Sequence, residues 1–531
     1  MSNLSSSYLS LSDVTFSWPD GQPLFDGLNA AIPTGRTGLV GLNGSGKSTL
    51  LRLIAGVDTP ERGSVTVAGT LAFLRQDMTL DTDVRIDRLL GIDEIRKALH
   101  RIESGDGTPS DFETVQDDWD IEEFALSLLH RLGLDSIVSD VGDLDRTVGA
   151  LSGGETVLLG LTAQLLRNPT VLLLDEPTNN LDESARERLY SVVQQFTGTT
   201  LVVSHDRALL NRMDSIAELR GGELRLFGGN YTAYEEIIAA EQSAAEAAVR
   251  DARTDMQKQK RELIEARIKL DRRKRYGQKM YENKREPKIV MGQRKRQAEE
   301  SAGKLRGNHI AALDDAKQTL TEAESALRDD REVRVELPAT TVHSGQVVVE
   351  LSEKKIRSGQ TVSLNIVGPE RIALAGPNGI GKTTLLDAVV DSGPRTPYKA
   401  LPQRLDVFDE ALSVADNVAH AAPHASPEQV RAQLARFLFR GNESDKPASA
   451  LSGGERLRAA LATILLAEPA PQLLLLDEPT NNLDLPSLAH LTQALNSYRG
   501  ALVVVSHDKE FLHEIGVTRT LTLTDDGVVE E

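Results

Sequence analysis

The sequence predicts an α/β protein with two similar domains that are joined by a long α-helical hairpin. Two observations carry this prediction. A set of short motifs, from GLNGSGKS to VVSHD, returns in the second half of the chain in the same order, from GPNGIGKT to VVSHD. Between the two sets, apolar residues recur at alternating spacings of four and three, which is typical of paired helices.

Length and composition restrict the class of protein. A chain of 531 residues is expected to form two to four domains, and 40% hydrophobic with 26% charged residues is typical of globular proteins with apolar cores. The absence of cysteine excludes disulfides and thiolate metal sites. The first residues, MSNLSSSYLSLSD, lack the pattern of a signal peptide, and no apolar run approaches the roughly 18–20 residues of a membrane span. We therefore expect a cytoplasmic protein without a membrane domain.

A phosphate-binding loop opens the motif set of each half. The pattern GxxxxGK[ST] lies between a short apolar run and an apolar helical run, which is the strand–loop–helix context that the motif needs. Glycines allow backbone N–H groups to point at the phosphates, and the helix N-terminus adds partial positive charge. The lysines can reach the β- and γ-phosphates. The predicted nucleotide-binding residues are Gly41, Asn43, Gly44, Gly46, Lys47, Ser48 and Thr49 in the first loop, and Gly376, Asn378, Gly379, Gly381, Lys382, Thr383 and Thr384 in the second.

Two adjacent acids follow a buried apolar run in each half. VLLLD and LLLLD end in Asp175 and Asp477, which places a carboxylate beside each phosphate loop. There it can bind Mg²⁺ together with the hydroxyl of Ser48 or Thr383. The next residues in the chain are the candidate catalytic carboxylates, Glu176 and Glu478. They are positioned to polarise the attacking water. A surface or helix-capping role is disfavoured because both acids recur with the loop.

The remaining motifs are an LSGGE run and a strand-end histidine. LSGGE begins a helix and can expose N–H groups to a second anion, although a simple helix cap is the alternative. The residues concerned are Ser152, Gly153 and Gly154, and Ser452, Gly453 and Gly454. His205 and His507 end apolar runs, and their recurrence with the other motifs favours sensing of the γ-phosphate over a structural role.

Together these motifs resemble those of ATP-binding-cassette ATPases: Walker A, Q-loop, signature, Walker B, D-loop and H-switch. The resemblance implies two P-loop ATP-binding-cassette domains that use ATP and Mg²⁺ and hydrolyse ATP to ADP and phosphate. It implies two composite sites, in which residues 41–48 face 452–455 and residues 376–383 face 152–155. It also adds Gln76 and Gln403 to the magnesium site and Trp18 as the aromatic that stacks on adenine. The second half departs from the family here, since VVVELSEKKIRSGQTVSLNIVG contains no aromatic residue.

The linker between the halves predicts a hairpin of two helices. Residues 239–276 contain no Gly or Pro, and a second periodic stretch follows residue 308. The first seam comprises Ala245, Val249, Ala252, Met256, Gln259, Leu263, Ala266 and Leu270, and the second comprises Leu313, Ala316, Leu320, Ala323 and Leu327. The alternative is two amphipathic helices packed on a cassette. The predicted domains are residues 1–238, with a helical insert at about 77–150, the linker 239–331, and residues 332–531.

The turn of this hairpin reverses the charge of the chain. Residues 267–306, the basic tip, contain fifteen Lys or Arg and five acids, whereas the whole chain carries a net charge of −19. A positive tip on a long lever is suited to binding phosphates. Charge alone does not separate RNA from DNA. The family resemblance described in the next paragraph favours RNA. The predicted RNA-binding residues are Arg272, Arg273, Lys274, Arg275, Lys279, Lys284, Arg285, Lys288, Arg294, Lys295 and Arg296.

Two cassettes on one chain, a charged helical linker, the run EPTNNLD and the stretch PKIVMGQRKRQAEESAGKLR are similar to the ABC-F family. The resemblance implies a ribosome partner, with the hairpin near rRNA and tRNA at the exit site, and pairing of the two cassettes within a monomer. The function would be that of a translation factor or of an antibiotic-resistance protein that protects the ribosome. Two alternatives stay open, a DNA-associated ATPase and the ATPase subunit of a transporter.

Overall fold

The computed structural model describes residues 9–18, 21–76, 84–148, 151, 153–179, 181–282, 288–326, 337–401, 407–481 and 483–530. The chain forms two compact units, one from Met1–Thr232 together with Glu332–Glu531 and the other from Ala233–Arg331. Five residues named above lie outside the described residues: Ser152, Lys284, Arg285, Leu327 and Gln403. Within the described ranges, no helix has both the length and the apolar character needed to cross a membrane.

The first half of the chain contains a mixed sheet, an antiparallel sheet and surrounding helices. Its strands are β1 (Leu9–Ser17), β2 (Pro23–Ile32), β3 (Arg36–Val40), β4 (Arg62–Val67), β5 (Leu71–Leu74), β6 (Val171–Asp175), β7 (Thr199–Val203), β8 (Ser215–Arg220) and β9 (Glu223–Gly228). Its helices are α1 (Lys47–Ile54), α2 (Ile86–Leu90), α3 (Asp93–Glu103), α4 (Pro109–Val115), α5 (Ile121–Arg131), α6 (Gly153–Leu165), α7 (Glu183–Gln195) and α8 (Arg207–Leu210).

The larger sheet of this half has the strand order β5-β6-β7-β3-β8-β9, and only β8 and β9 pair antiparallel. Strands β6 and β7 are fully buried, which explains their continuous apolar sequences. Because β6, β7 and β3 are parallel neighbours, the loops that follow them meet at one sheet edge. The antiparallel sheet β2-β1-β4 packs its apolar side chains into the same core.

The described part of the segment between β5 and α6 contains helices α2 to α5 and a largely buried ion-pair cluster. Arg96 on α3 is 2% exposed and its guanidinium contacts three carboxylates. Its Nη1 lies 2.9 Å from Asp87 Oδ2 and 3.0 Å from Asp145 Oδ1, and its Nε lies 2.6 Å from Glu122 Oε1. The cluster therefore ties α2, α3, α5 and the 3-10 helix Val141–Asp145 together.

The linker forms two long helices, α9 (Tyr231–Glu282) and α10 (Lys288–Ala326). An ion pair of 2.9 Å between Arg253 and Glu324 joins the middle of α9 to the end of α10, as an antiparallel hairpin requires. The described seam residues are the covered ones, with Val249, Ala252, Ala266 and Ala316 less than 10% exposed. Helix α9 begins eight residues before residue 239, where the linker was predicted to start, and directly after Gly229 and Asn230, which follow β9.

The second half repeats the architecture of the first. Its strands are β10 (Val347–Lys355), β11 (Thr361–Val367), β12 (Arg371–Ala375), β13 (Tyr398–Leu401), β14 (Leu473–Asp477), β15 (Ala501–Val505), β16 (Arg519–Thr524) and β17 (Gly527–Glu530). Its helices are α11 (Lys382–Asp391), α12 (Val414–Ala421), α13 (Pro427–Arg436), α14 (Gly453–Leu465), α15 (Leu485–Ser497) and α16 (Lys509–Glu514). The sheet order β13-β14-β15-β12-β16-β17 matches that of the first half strand for strand.

Candidate functional site

The phosphate loops occupy the turn between β3 and α1 and the turn between β12 and α11. Gly46 and Gly381 precede the two helices with φ of 97° and 109°, a left-handed conformation that favours glycine. A Cβ atom on Gly46 would lie 2.9 Å from the Leu24 side chain, so this position also lacks space for one. The sequence pattern of glycines therefore reflects both backbone conformation and close packing.

Each loop lysine is buried and held across its own loop. Lys47 Nζ donates to the carbonyl oxygens of Gly41 at 2.7 Å and Leu42 at 3.0 Å. Lys382 Nζ donates to the carbonyl oxygen of Gly376 at 2.7 Å. Burial lowers the pKa of both lysines, while nearby carboxylates oppose that effect. The two ammonium groups are thus the cations that face the acids at the end of β6 and β14.

A hydroxyl and a carboxylate meet beside each loop. Ser48 Oγ donates to Asp175 Oδ1 at 3.1 Å, and Thr383 Oγ1 donates to Asp477 Oδ2 at 2.7 Å. Paired hard oxygen atoms of this kind fit Mg²⁺, which takes few protein ligands and completes its shell with phosphate oxygens and water. Among the described residues no group of three or more His, Cys, Asp or Glu could hold a metal ion.

The glutamates that follow Asp175 and Asp477 have an unusual backbone conformation. Glu176 and Glu478 have φ of 47° and 45°, the left-handed region that non-glycine residues rarely adopt. Their N–H groups donate to the carbonyl oxygens of Val203 and Val505 on the neighbouring strands, each at 2.9 Å. Strained residues of this kind cluster at functional sites, and here the same strain occurs in both halves. The sequence patterns gave no sign of it.

Each glutamate faces the histidine that follows the neighbouring strand. His205 Nε2 lies 3.2 Å from Glu176 Oε1, and His507 Nε2 lies 3.3 Å from Glu478 Oε1. Burial raises the pKa of Glu176, and it raises the pKa of Glu478 to about 7. Burial and the adjacent lysine lower the pKa of His205 to about 3 and that of His507 to about 4. The imidazoles are therefore neutral, and the carboxyl groups are suited to accept a proton near neutral pH.

A hydrogen bond between the two halves reaches the first phosphate loop. The N–H of Asn43 donates to Asp484 Oδ2 at 2.8 Å. Asp484 also caps α15, where its Oδ1 accepts from the N–H of Ser487 at 3.0 Å. Ser487 in turn lies against Gly454, whose Cβ position would be 2.8 Å from the serine oxygen. One carboxylate thus connects the first loop to the beginning of the second half's signature helix.

The signature serine of the second half acts as a helix cap in this structure. Ser452 Oγ accepts from the N–H of Glu455 at 3.4 Å, and Glu455 Oε2 accepts from the N–H of Ser452 at 2.9 Å. This reciprocal pair begins α14 and leaves Gly453 exposed. In the first half, α6 begins at Gly153 in the corresponding place.

Two further predicted residues lie at the edges of the site. Trp18 follows β1, is 36% exposed and packs edge-on against Phe16 with ring centroids 6.3 Å apart. Gln76 follows β5 and is exposed. Asp484 and Arg186, which both contact the opposite half, were not singled out from sequence. The repeated run LLLDEPTNNLD ends in Asp182 and Asp484, and this repetition is the signal that would have found the latter.

The comparisons with known proteins agree with this geometry. The ABC transporter family matches residues 25–179 and 360–481, which include both phosphate loops and both acid pairs. The tylosin resistance ATP-binding protein TlrC of Streptomyces fradiae is 32% identical over 543 residues, covering 95% of either chain. ABC transporter F family member 5 of Arabidopsis thaliana is 30% identical and covers 93% of this chain and 72% of its own length. The chain belongs to the ABC-F family. It is an ATPase with two ATP-binding cassettes.

Solved structures show the same tandem fold for this ABC-F chain. A structure described as RNase-L inhibitor aligns with a TM-score of 0.51 over 99% of this chain and 90% of its own, at 17% identity. The archaeal ribosome recycling factor aABCE1, solved with the ribosomal stalk protein aP1, aligns with a TM-score of 0.50 at 18% identity. At such identities the likeness concerns the fold alone.

Proposed function

We propose that this ABC-F ATPase acts in the cytoplasm, binds the ribosome through the basic tip of its hairpin and modulates translation. The observation that carries the proposal is a run of cations on α9. Four consecutive exposed cations form this run: Arg272, Arg273, Lys274 and Arg275. Lys279 and Arg296 are exposed too. Clustered Lys and Arg bind nucleic-acid phosphates, and a body of opposite charge favours contact through the tip alone. The side chains of Lys288, Arg294 and Lys295 lie outside the described part of the chain.

ATP and its hydrolysis would control this binding. In the proposed cycle, Lys47 and Lys382 hold the phosphates, and Ser48 with Asp175, or Thr383 with Asp477, hold Mg²⁺. The metal would neutralise phosphate charge as the terminal bond breaks. Glu176 and Glu478, each beside a neutral histidine, orient the attacking water and accept its proton. ATP closes the cassettes on each other, and hydrolysis opens them and releases the ribosome.

A ribosome-protection role is favoured over a general translation factor by one observation. The relative TlrC, which matches nearly the whole chain, is described as a tylosin resistance protein. Tyr276 directly follows the cation run on α9. It is 68% exposed and is available for contact with a partner. We therefore propose protection of the large-subunit antibiotic site as the more specific function.

The first test is ribosome pelleting with the double variant Glu176→Gln/Glu478→Gln. Both substitutions keep the side-chain volume and remove the proton acceptor, so ATP should be bound and not turned over. We expect this variant to sediment with ribosomes in ATP and to remain in the supernatant in ADP. An absence of ATP-dependent sedimentation would overturn the ribosome proposal.

Charge-neutral variants of the hairpin show which part of it binds. In the double-Gln background, the tip variant replaces Arg272, Arg273, Lys274 and Arg275 with Gln. The matched control replaces four exposed cations in the middle of α9, which are Arg250, Lys258, Lys260 and Arg261. A plot of log binding constant against log salt concentration should be less steep for the tip variant. The steepness should fall by roughly three, because each lost phosphate contact removes about 0.7–0.9 from the slope. The control should leave the slope unchanged. Equal losses would instead indicate non-specific charge, and retention on duplex DNA alone would favour the DNA-associated alternative.

A further inference from the structure

The helices that follow the repeated LLLDEPTNNLD run differ in the two halves. Both start after a capping aspartate, yet α7 reads ESARERLYSVVQQ and α15 reads LPSLAHLTQALNS. At an offset of 302 positions, Arg186 of the first half corresponds to Leu488 of the second. The hydrolytic motifs around them are the same. The charged side chains of α7 are therefore a difference between two halves that share their hydrolytic motifs.

Arg186 extends from α7 to the second half of the chain. Its Nη1 donates to the carbonyl oxygen of His507 at 3.3 Å. Its Nε donates to the carbonyl oxygen of Leu181 in its own half at 3.2 Å, which fixes the direction of the guanidinium. Its side chain is only 14% exposed, and it lies 3.9 Å from Asp206. A largely covered, planar guanidinium that donates to one carbonyl in each half is well suited to holding a backbone segment in place.

The segment that Arg186 holds belongs to the second ATP site. The imidazole Nε2 of His507 lies 3.3 Å from Glu478 Oε1 and 3.3 Å from Lys382 Nζ. The carbonyl that accepts from Arg186 belongs to the same residue. A shift of that carbonyl would therefore move the histidine relative to both charged groups.

The arrangement is not reciprocal. Leu488, the counterpart of Arg186, is 3% exposed and has no donor to offer the corresponding carbonyl of His205. Both residues line a cavity between the two halves, together with His205 and His507. The neighbouring residues on the first-half side are also fixed, since Tyr190 Oη donates to Asp206.

We propose that Arg186 is a positioning residue that aligns His507 with Glu478, so that hydrolysis at the second ATP site depends on contact from the first cassette. Leu488, at the corresponding position of the second half, offers no donor to the first site, so this particular contact is made in one direction only. The inference rests on Glu176 and Glu478 being the hydrolytic carboxylates, and the experiment tests that assignment separately.

The test is the variant Arg186→Leu in each of two single-site backgrounds, with Arg186→Lys as the conservative change. In the Glu176→Gln background, where only the second site retains its glutamate, Arg186→Leu should lower kcat about tenfold with KM changed less than about twofold. In the Glu478→Gln background it should change kcat less than about twofold. Arg186→Lys should recover part of the loss, since an ammonium can still donate to the carbonyl.

A matched control separates positioning from general weakening of the interface. Glu183, also on α7, forms an exposed ion pair with Lys509 of the other half, and no hydrogen bond joins it to His507 among the described residues. Glu183→Ala should leave kcat unchanged in both backgrounds. Equal losses at both sites with Arg186→Leu, or no loss at the second, would overturn the proposal. Residual turnover in the double-Gln variant would instead contradict the assignment of the glutamates. Thermal melting of Arg186→Leu confirms that the chain is folded.

Discussion

At the scale of single residues, the predicted adenine-stacking residue Trp18 gives the simplest test of a difference between the two ATP sites. It is half exposed after β1, and the second half contains no aromatic residue in the matching stretch. Stacking of a base on an aromatic ring is worth about 1 kcal/mol or more, so Trp18→Ala should weaken ATP binding at the first site roughly fivefold. Titration with fluorescent ATP in the double-Gln background would measure this change, and Trp18→Phe should retain most of the affinity. Unchanged binding by Trp18→Ala would remove this residue from the site.

Single residues also show the limit of sequence patterns. The strand-end positions of Asp175, Glu176 and His205 follow from apolar runs that end in polar residues, and parallel strands bring such ends to one edge. The left-handed backbone of Glu176 does not follow from its residue type, because the neighbouring strand imposes it. Contacts between halves, such as that of Asn43 with Asp484, depend on how two domains meet and leave no local periodicity.

At the scale of elements, the helical insert of the first cassette is stabilised by charge as well as by apolar packing. Arg96→Leu would leave Asp87, itself 1% exposed, with only Arg85 as a cationic partner. Breaking a buried ion pair in this way costs about 3 kcal/mol. Denaturation by urea, followed by the fluorescence of Trp119 in a Trp18→Phe background, should show this loss in the insert.

The control for this experiment is the double variant Asp87→Leu/Arg96→Leu. Removing both charges avoids an uncompensated carboxylate in the core, so the double variant should be more stable than Arg96→Leu alone. If the single variant unfolds at the urea concentration of the parent, the ion pairs of Arg96 contribute no net stability. The chain has only two tryptophans, which makes the fluorescence signal specific to the insert.

The hairpin is the element that its sequence predicted best. A seam of small and apolar residues stepping by four and three needs a partner helix, and Val249, Ala252 and Ala316 are covered accordingly. Helix α9 nevertheless begins at Tyr231, before the seam is regular. The turn that precedes it sets the first residue of the helix, whereas periodicity marks only the part that is packed against a partner.

At the scale of the whole molecule, the two specific functions predict different outcomes in cells. Expression in a tylosin-susceptible host should raise the inhibitory concentration of tylosin if the chain protects the ribosome. The tip variant lacking Arg272, Arg273, Lys274 and Arg275 should lose this effect, whereas the control variant in the middle of α9 should keep it. Ribosome binding without any protection, across antibiotics of the large subunit, would favour a general translation factor.

The difference between α7 and α15 also bears on symmetry. An assembly of two identical cassettes has a two-fold axis, which forces a contact made by one copy to be made by the other. Arg186 and Leu488 occupy matching positions in a single chain and need not agree. Fusion of the halves therefore permits a substitution on one side of the interface alone, and the two ATP sites can acquire separate roles without any change in the residues that contact the nucleotide.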